Sequence, residues 1–342
     1  MSPVDVGVIG LGFMGGRWAQ CLAEHPGARL RVVSDVREDL GRQLADRWGA
    51  TYVADPLEAA ADPALRGVAV CTPEHLHVDV ALAAIEAGKM LMVEKPLAHT
   101  VSDAERIRDR AAELDIPVLT GHILRFEPRY ASAARAVHEG EIGAVQAVRN
   151  ERIGLVSDQV VLQGRTTVPL YYGVHEFDLA RWYGGEVASI YAYRSAGVLQ
   201  ARGFGVEDLY SAAFQYDSGA HGTAMLGWIL PERMPGMGMA GVTVIGEHGI
   251  LRVDQGELGI LKVGGDGVDP IDVFYSPEVH GRTWGALAIE VDHFIQCVEG
   301  SVEPLCTAAD GTEAVRISLA MEESAEVGSP VTVRTARVSD DV

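Results

Sequence analysis

The stretch VEKPLAHT at residues 93–100 sets Lys95 between a glutamate and a proline, directly after the apolar run Met90 to Val93. A run that apolar is a buried strand, so Lys95 either leaves the core for solvent or holds its ammonium on a specific partner. At the carboxyl end of a parallel strand an ammonium can bond a reacting oxygen and stabilise negative charge growing on it. His175 is the second candidate. It opens the helical stretch HEFDLARW, where the positive end of the helix dipole disfavours imidazolium and favours a neutral base. Asp178, three residues on, either orients that ring or caps the helix. A histidine there also serves as a core or capping residue, and both readings stay open.

VGVIGLGFMGG places Gly10, Gly12 and Gly15 as G-x-G-x-x-G after a strand and at the opening of a helix. The first glycine permits the tight turn, the second lets the backbone approach a pyrophosphate, and the third lets helix and strand pack closely. The helix N-terminus offers unpaired N–H groups to the anion. Asp35 stands twenty residues after Gly15, at the end of the next strand in LRVVSDVRED. A carboxylate there holds the ribose 2′-hydroxyl of NAD and repels the 2′-phosphate of NADP. Arg37 leaves NADP use open as well. Phe13, Met14, Val36 and Arg37 flank these positions and are assigned to the cofactor with them.

The elements that must carry these residues read as two domains. Strands at Val4 to Ile9, Leu30 to Ser34, Val68 to Cys71, Met90 to Val93 and Pro117 to Thr120 alternate with helical patterns, the mark of a parallel sheet built from βαβ units. Ser102 and Glu105 have capping-box spacing at the start of one helix. Beyond residue 121 the rhythm changes. A helix from Pro128 to Glu139 precedes the strand Val145 to Arg152, an irregular loop from Ile153 to Tyr172, and the His175 helix. Short strands from Val187 to about Tyr275, the last two over 258–263 and 272–275, have the spacing of an antiparallel meander, and two helices, Thr283 to Val298 and Ala308 to Ala325, follow. The predicted fold is α/β: an N-terminal Rossmann, doubly wound parallel sheet over 1–121, and a C-terminal α/β domain over 122–342 with an open, mainly antiparallel sheet.

The chain of 342 residues carries 28 basic and 48 acidic residues, a net charge of −20 with no basic patch to override it. That field argues against nucleic acid and anionic membrane surfaces as partners. Cys21, Cys71, Cys297 and Cys306 show no metal-ligand spacing and read as free core thiols; no metal is expected. The start MSPVDVGVIGLG enters a strand at once rather than a leader, and no run is long and apolar enough for a membrane span, so a cytoplasmic protein is expected.

Six motifs stand in order: the glycine turn, CTPEHLH at 71–77, EKPLA at 94–98, GHILRFEPRY at 121–130, GVHEFDLARWYGG at 173–185, and EVDHFIQCVEG with TAADGTEAVRISLAMEESAEVG. Through them the chain resembles the Gfo/Idh/MocA family (glucose–fructose oxidoreductase, inositol dehydrogenase and rhizopine catabolism proteins). The resemblance implies NAD(P) on the Rossmann domain and a second domain whose sheet supports the substrate site and commonly a subunit interface, giving a homodimer or homotetramer. Substrates would be a sugar, a nucleotide sugar or a cyclitol, oxidised or reduced at a secondary alcohol.

The resemblance also carries roles onto single positions. Lys95 falls where the family lysine points into the cleft between cofactor and substrate, and the bond before Pro96 is cis in relatives. His175, at G-x-H-x-x-D, becomes the acid/base of the reacting hydroxyl. Cys71, Thr72, Pro73, Glu74 and His77 match the loop that passes the cofactor ribose, with Glu94 beside it. His122 and Arg125 lie where relatives line the site, although a structural role fits them equally. Arg152, Arg165 and Thr167 are polar candidates in or beside the long loop; Arg165 either meets an anionic group or is an exposed loop arginine.

One departure stands out. Relatives like inositol dehydrogenase carry an aspartate four residues before the histidine, where this chain has Tyr171. Either Tyr171 lends its hydroxyl to substrate or proton relay, or Lys95 and His175 suffice, or the preference has shifted. Two alternatives to a dehydrogenase therefore remain: an enzyme that recycles bound NAD on glycosidic substrates, and a non-catalytic nucleotide-binding sensor. Neither the particular polyol, its reacting carbon nor the physiological direction is legible.

Overall fold

The structure is a computed structural model, and it describes residues 2–158, 162–232, 234, 238–254, 260–264, 267–270 and 272–333. Two compact units divide the chain: Met1–Pro128 with Asp272–Thr312, and Arg129–Ile271 with Glu313–Val342.

In the first unit, strands β1 (Val4–Ile9), β2 (Ala28–Ser34), β3 (Thr51–Tyr52), β4 (Gly67–Val70), β5 (Met90–Glu94) and β6 (Val118–Gly121) form one parallel sheet in the order β3-β2-β1-β4-β5-β6. Helices α1 (Phe13–Glu24), α2 (Glu38–Trp48), α3 (Pro56–Ala60), α4 (His77–Glu86) and α5 (Val101–Glu113) make the crossovers. β4, β5 and β6 are buried along their whole length, which is why they read as continuous apolar runs rather than alternating ones. The chain order reverses beside β1, the switch point where such sheets bind ligands at their carboxyl ends.

Two sequence expectations change here. The cap of α5 is Thr100, whose hydroxyl accepts from the Asp103 N–H; Ser102 lies inside the helix, so the Ser102/Glu105 box does not form. The domain division at 121 also moves. Residues 272–312 return to the first unit because helix α8 (Ala286–Glu299) buries Leu287, Val291 and Phe294 in the same core as Val6, Val8 and Trp18. The Trp18 and Phe294 rings meet edge to face at 5.7 Å.

In the second unit, α6 (Pro128–His138) precedes β7 (Val145–Leu155). A π-helical turn, Pro169–Gly173, runs straight into α7 (Val174–Gly184). β8 (Val187–Ser195), β9 (Leu209–Tyr216), β10 (His221–Leu230), β11 (Met239–Gly246) and β12 (Ile250–Asp254) complete a sheet of order β12-β11-β7-β10-β9-β8, closed at its edge by the short strand Val331–Thr332. The sheet is mainly antiparallel as expected, but it is no simple meander. β7 inserts between β10 and β11 and pairs with β10 in parallel. The expected strand at 272–275 is instead a turn in which the Asp272 carboxylate accepts from the N–H groups of Phe274, Tyr275 and Ser276. The expected strand over 258–263 lies partly outside the described residues. Helix α9 (Ala308–Val327) ends the helical part, and its Ser324 hydroxyl accepts from the Ala192 N–H of β8.

Candidate active site

Each unit presents its own set of groups. In the first, Gly10 takes a φ of +88°, and a Cβ there would stand 2.6 Å from the Cys71 carbonyl oxygen. A Cβ on Gly15 would fall on the Gly10 carbonyl itself, so both positions admit only glycine. Beside Gly12 the space is open, the opening that a pyrophosphate needs. α1 starts without a side-chain cap, which leaves its first N–H groups for an anion.

Asp35 is buried and already oriented: its carboxylate accepts from the Leu11 N–H at 2.7 Å and the Arg37 N–H at 2.8 Å. The Arg37 guanidinium forks onto both its oxygens at 2.9 and 3.0 Å. Burial works against the charged form, but these donors outweigh it and hold the Asp35 carboxyl below its usual range. The carboxylate therefore stays available to a ribose hydroxyl at neutral pH, while Phe13 and Val36 stand exposed beside it. This cradle fits a dinucleotide on its own geometry.

At the end of β5, the Lys95–Pro96 bond is cis. His77 ties the turn down: its Nδ1 lies 2.9 Å from the Pro96 carbonyl and its Nε2 2.9 Å from the Thr72 carbonyl. Burial lowers the pKa of this ring, so His77 is a neutral strut. Lys95 is half-buried, and its backbone N–H donates to the Glu94 carboxyl at 3.2 Å. Burial pushes Glu94 up to about 7, against the attraction of Lys95. Glu290 of α8 is fully buried and is raised well above the carboxyl range, by burial first and then by Glu94. The sequence reading missed Glu290, although a lone glutamate among Leu287, Val291 and Phe294 on an apolar helix face was a visible signal.

The other predicted residues of the first unit differ in burial and in their partners. Arg125 is buried; its guanidinium donates to the Leu305 carbonyl at 2.7 Å and pairs with Asp310 at 3.3 Å, fastening the segment after β6 to the start of α9. His122 is buried, with its backbone N–H on the Thr120 carbonyl. Thr72 is half-buried and Pro73 exposed in the loop after β4. Cys71 is buried beneath the glycine turn, where desolvation keeps it a protonated thiol. All four cysteines are buried and none is in a disulfide, as expected of core thiols.

In the second unit, His175 is half-buried in the first turn of α7, and Asp178 is buried in the same helix. Arg152 of β7 donates from Nε to the Glu176 carboxylate at 2.6 Å, and Asn150 donates from Nδ2 to the Glu176 carbonyl at 2.6 Å. Burial raises the Glu176 carboxyl, opposed by Arg152. Tyr171 packs its ring against Tyr172 at 4.8 Å and Trp228 at 6.0 Å, and the Tyr172 hydroxyl donates to Asp158. Arg165 is exposed, while the Thr167 hydroxyl donates to Glu322. Asn150 and Glu176 escaped the sequence reading because their partners lie on another element of the chain, and Asp158 and Tyr172 because no motif pairs them.

Two models of one oxidoreductase family match: the NAD-binding Rossmann fold over residues 4–122 and the C-terminal alpha/beta domain over 134–333. The chain belongs to this oxidoreductase family. It is similar to the NAD(+)-dependent scyllo-inositol 2-dehydrogenase of Bacillus subtilis, 28% identical over 98% of this chain and 97% of the relative. An inositol 2-dehydrogenase of Mycolicibacterium gilvum is 30% identical over 98% of this chain and 95% of its own length. Among solved structures, GenD2 from gentamicin A biosynthesis, in complex with NAD, superposes with a TM-score of 0.82 at 26% identity, covering 98% of this chain and 97% of its own. Scyllo-inositol dehydrogenase from Lactobacillus casei, with bound NAD(H) and scyllo-inositol, shares the fold at a TM-score of 0.83 and 21% identity, covering 97% of this chain and 99% of its own. The family member described here is thus an NAD-dependent oxidoreductase acting on a CH–OH group. No helix among the described residues is long and apolar enough to cross a membrane.

Proposed function

We propose that the protein is a cyclitol dehydrogenase that oxidises one secondary alcohol of an inositol-like ring. The observation that carries this reading is the full-length similarity to inositol 2-dehydrogenases combined with an intact E-K-P turn and G-x-H-x-x-D helix. NAD, when bound, supplies the hydride acceptor. The Lys95 ammonium hydrogen-bonds the reacting oxygen and stabilises its growing negative charge. His175 takes the hydroxyl proton. Asp35 orients the adenosine ribose and disfavours NADP. Tyr171, in the position of the family aspartate, lines the ring site, and its packing on Tyr172 and Trp228 supports selection by an aromatic surface rather than a second carboxylate.

Assembly and compartment belong to the same reading. The outward face of the second unit's sheet exposes Met225 and Tyr193, which supports a homodimer or homotetramer. Free buried cysteines support a reducing, cytoplasmic setting.

Replacing Lys95 by Met tests the assignment. Turnover of the best inositol is expected to fall by about a hundredfold or more while NAD affinity stays within about twofold. His175→Gln is expected to fall by about a hundredfold and to remove the acid limb of kcat/KM. Wild-type turnover in either variant would contradict that residue's role.

A further inference from the structure

Two helices start on side-chain caps, Asp55 on α3 and Thr100 on α5, whereas α1, α2, α4 and α8 start without one. α7 has none either. Its cap position, Gly173, is already helical and makes no side-chain cap bond, because the π-helical turn flows directly into it. The first turn, which carries His175, is held instead from β7, far back in the chain.

We propose that Asn150, Arg152 and Gly154 of β7, acting on Glu176 and Tyr172, form a clamp that positions His175. The three strand residues alternate, so they share the face of the sheet turned toward α7. Asn150 and Glu176 are fully buried, and Arg152 nearly so. Asn150 fixes the backbone of the turn through the Glu176 carbonyl, and Arg152 fixes its rotation about the helix axis through the Glu176 carboxylate. Gly154 leaves room for the Tyr172 hydroxyl on Asp158: a Cβ at this position would collide with both. Grips on residues 172 and 176 bracket His175 from either side. Arg152 is thereby a positioning residue rather than a substrate ligand. A buried ion pair contributes little net stability compared with an apolar pair of the same volume, whereas it fixes geometry.

The proposal rests on His175 as the acid/base, so its test has a readout independent of turnover. Arg152→Met alone leaves Glu176 buried and unpaired; the double variant Arg152→Met/Glu176→Met replaces the pair by apolar groups and is the variant to study. Amide hydrogen exchange and the kinetics of NAD with scyllo- and myo-inositol are measured on the full chain. In the double variant, exchange over residues 172–178 is expected to accelerate by about tenfold with the rest of the sheet unchanged. kcat is expected to fall by about tenfold or more with KM for NAD within about twofold. Glu176→Gln keeps an acceptor for Arg152 and is expected to retain kcat within about threefold. Gly154→Ala is expected to reproduce the double variant's loss. Unchanged exchange over 172–178, or full turnover with accelerated exchange, overturns the clamp. Full turnover by His175→Gln contradicts the acid/base assignment instead, and the exchange result alone then decides the clamp.

Discussion

Lys95 is half-buried and its neighbour Glu94 is buried. Burial raises Glu94 from the ordinary 4.5 to about 7. The folded state therefore binds a proton that the unfolded chain has released between those values, and stability falls as pH rises through that window. The size of the effect is about 3 kcal/mol. Urea unfolding at about pH 5 and about pH 8 checks it: wild type is expected to lose stability between the two, and Glu94→Gln to lose less. Equal losses in the two proteins would show that Glu94 does not titrate there. At this scale the sequence singled out a residue wherever a motif named one, as for Lys95, His175 and Asp35. It was silent on Glu176 and Asn150, because the partners that give those residues meaning are remote in the chain.

At the scale of elements, the glycine turn shows how tightly local geometry follows residue type. Gly10 needs its positive φ and Gly15 has no room for a methyl group, while Gly12 borders open space. Gly15→Ala is expected to weaken NAD binding by about tenfold or more and to lower thermal stability, whereas Gly12→Ala is expected to weaken NAD alone. Isothermal titration and thermal unfolding of both variants separate the two effects, and a Gly15→Ala protein with wild-type stability would contradict the packing described. The parallel strands of the first unit were legible from their apolar runs and the helical patterns between them. The insertion of β7 between β10 and β11 was not, since adjacency in a mixed sheet depends on pairings that alternation cannot specify. Thr100 outcompetes Ser102 as a cap because the helix begins two residues earlier than the capping-box spacing suggests.

At the scale of the whole molecule, the chain leaves the first unit at Pro128 and returns at Asp272. The Rossmann core is completed only when α8 covers Trp18, Val6 and Val8. A fragment of residues 1–121 is therefore expected to unfold without cooperativity or to aggregate, and the same fragment joined through a flexible linker to residues 272–312 to show a cooperative transition that NAD raises. A cooperatively folded, NAD-binding 1–121 fragment would contradict this.

The most direct test is the absorbance of reduced nicotinamide, followed with purified protein, NAD and NADP in parallel, against scyllo-inositol, myo-inositol, free sugars and sugar phosphates, with Lys95→Met as the blank. Reduction of NAD by an inositol, slower with NADP and lost in the Lys95 variant, is the expected result. Tight NAD binding with no reduction by any inositol, or reduction that survives loss of Lys95, would contradict the cyclitol dehydrogenase reading.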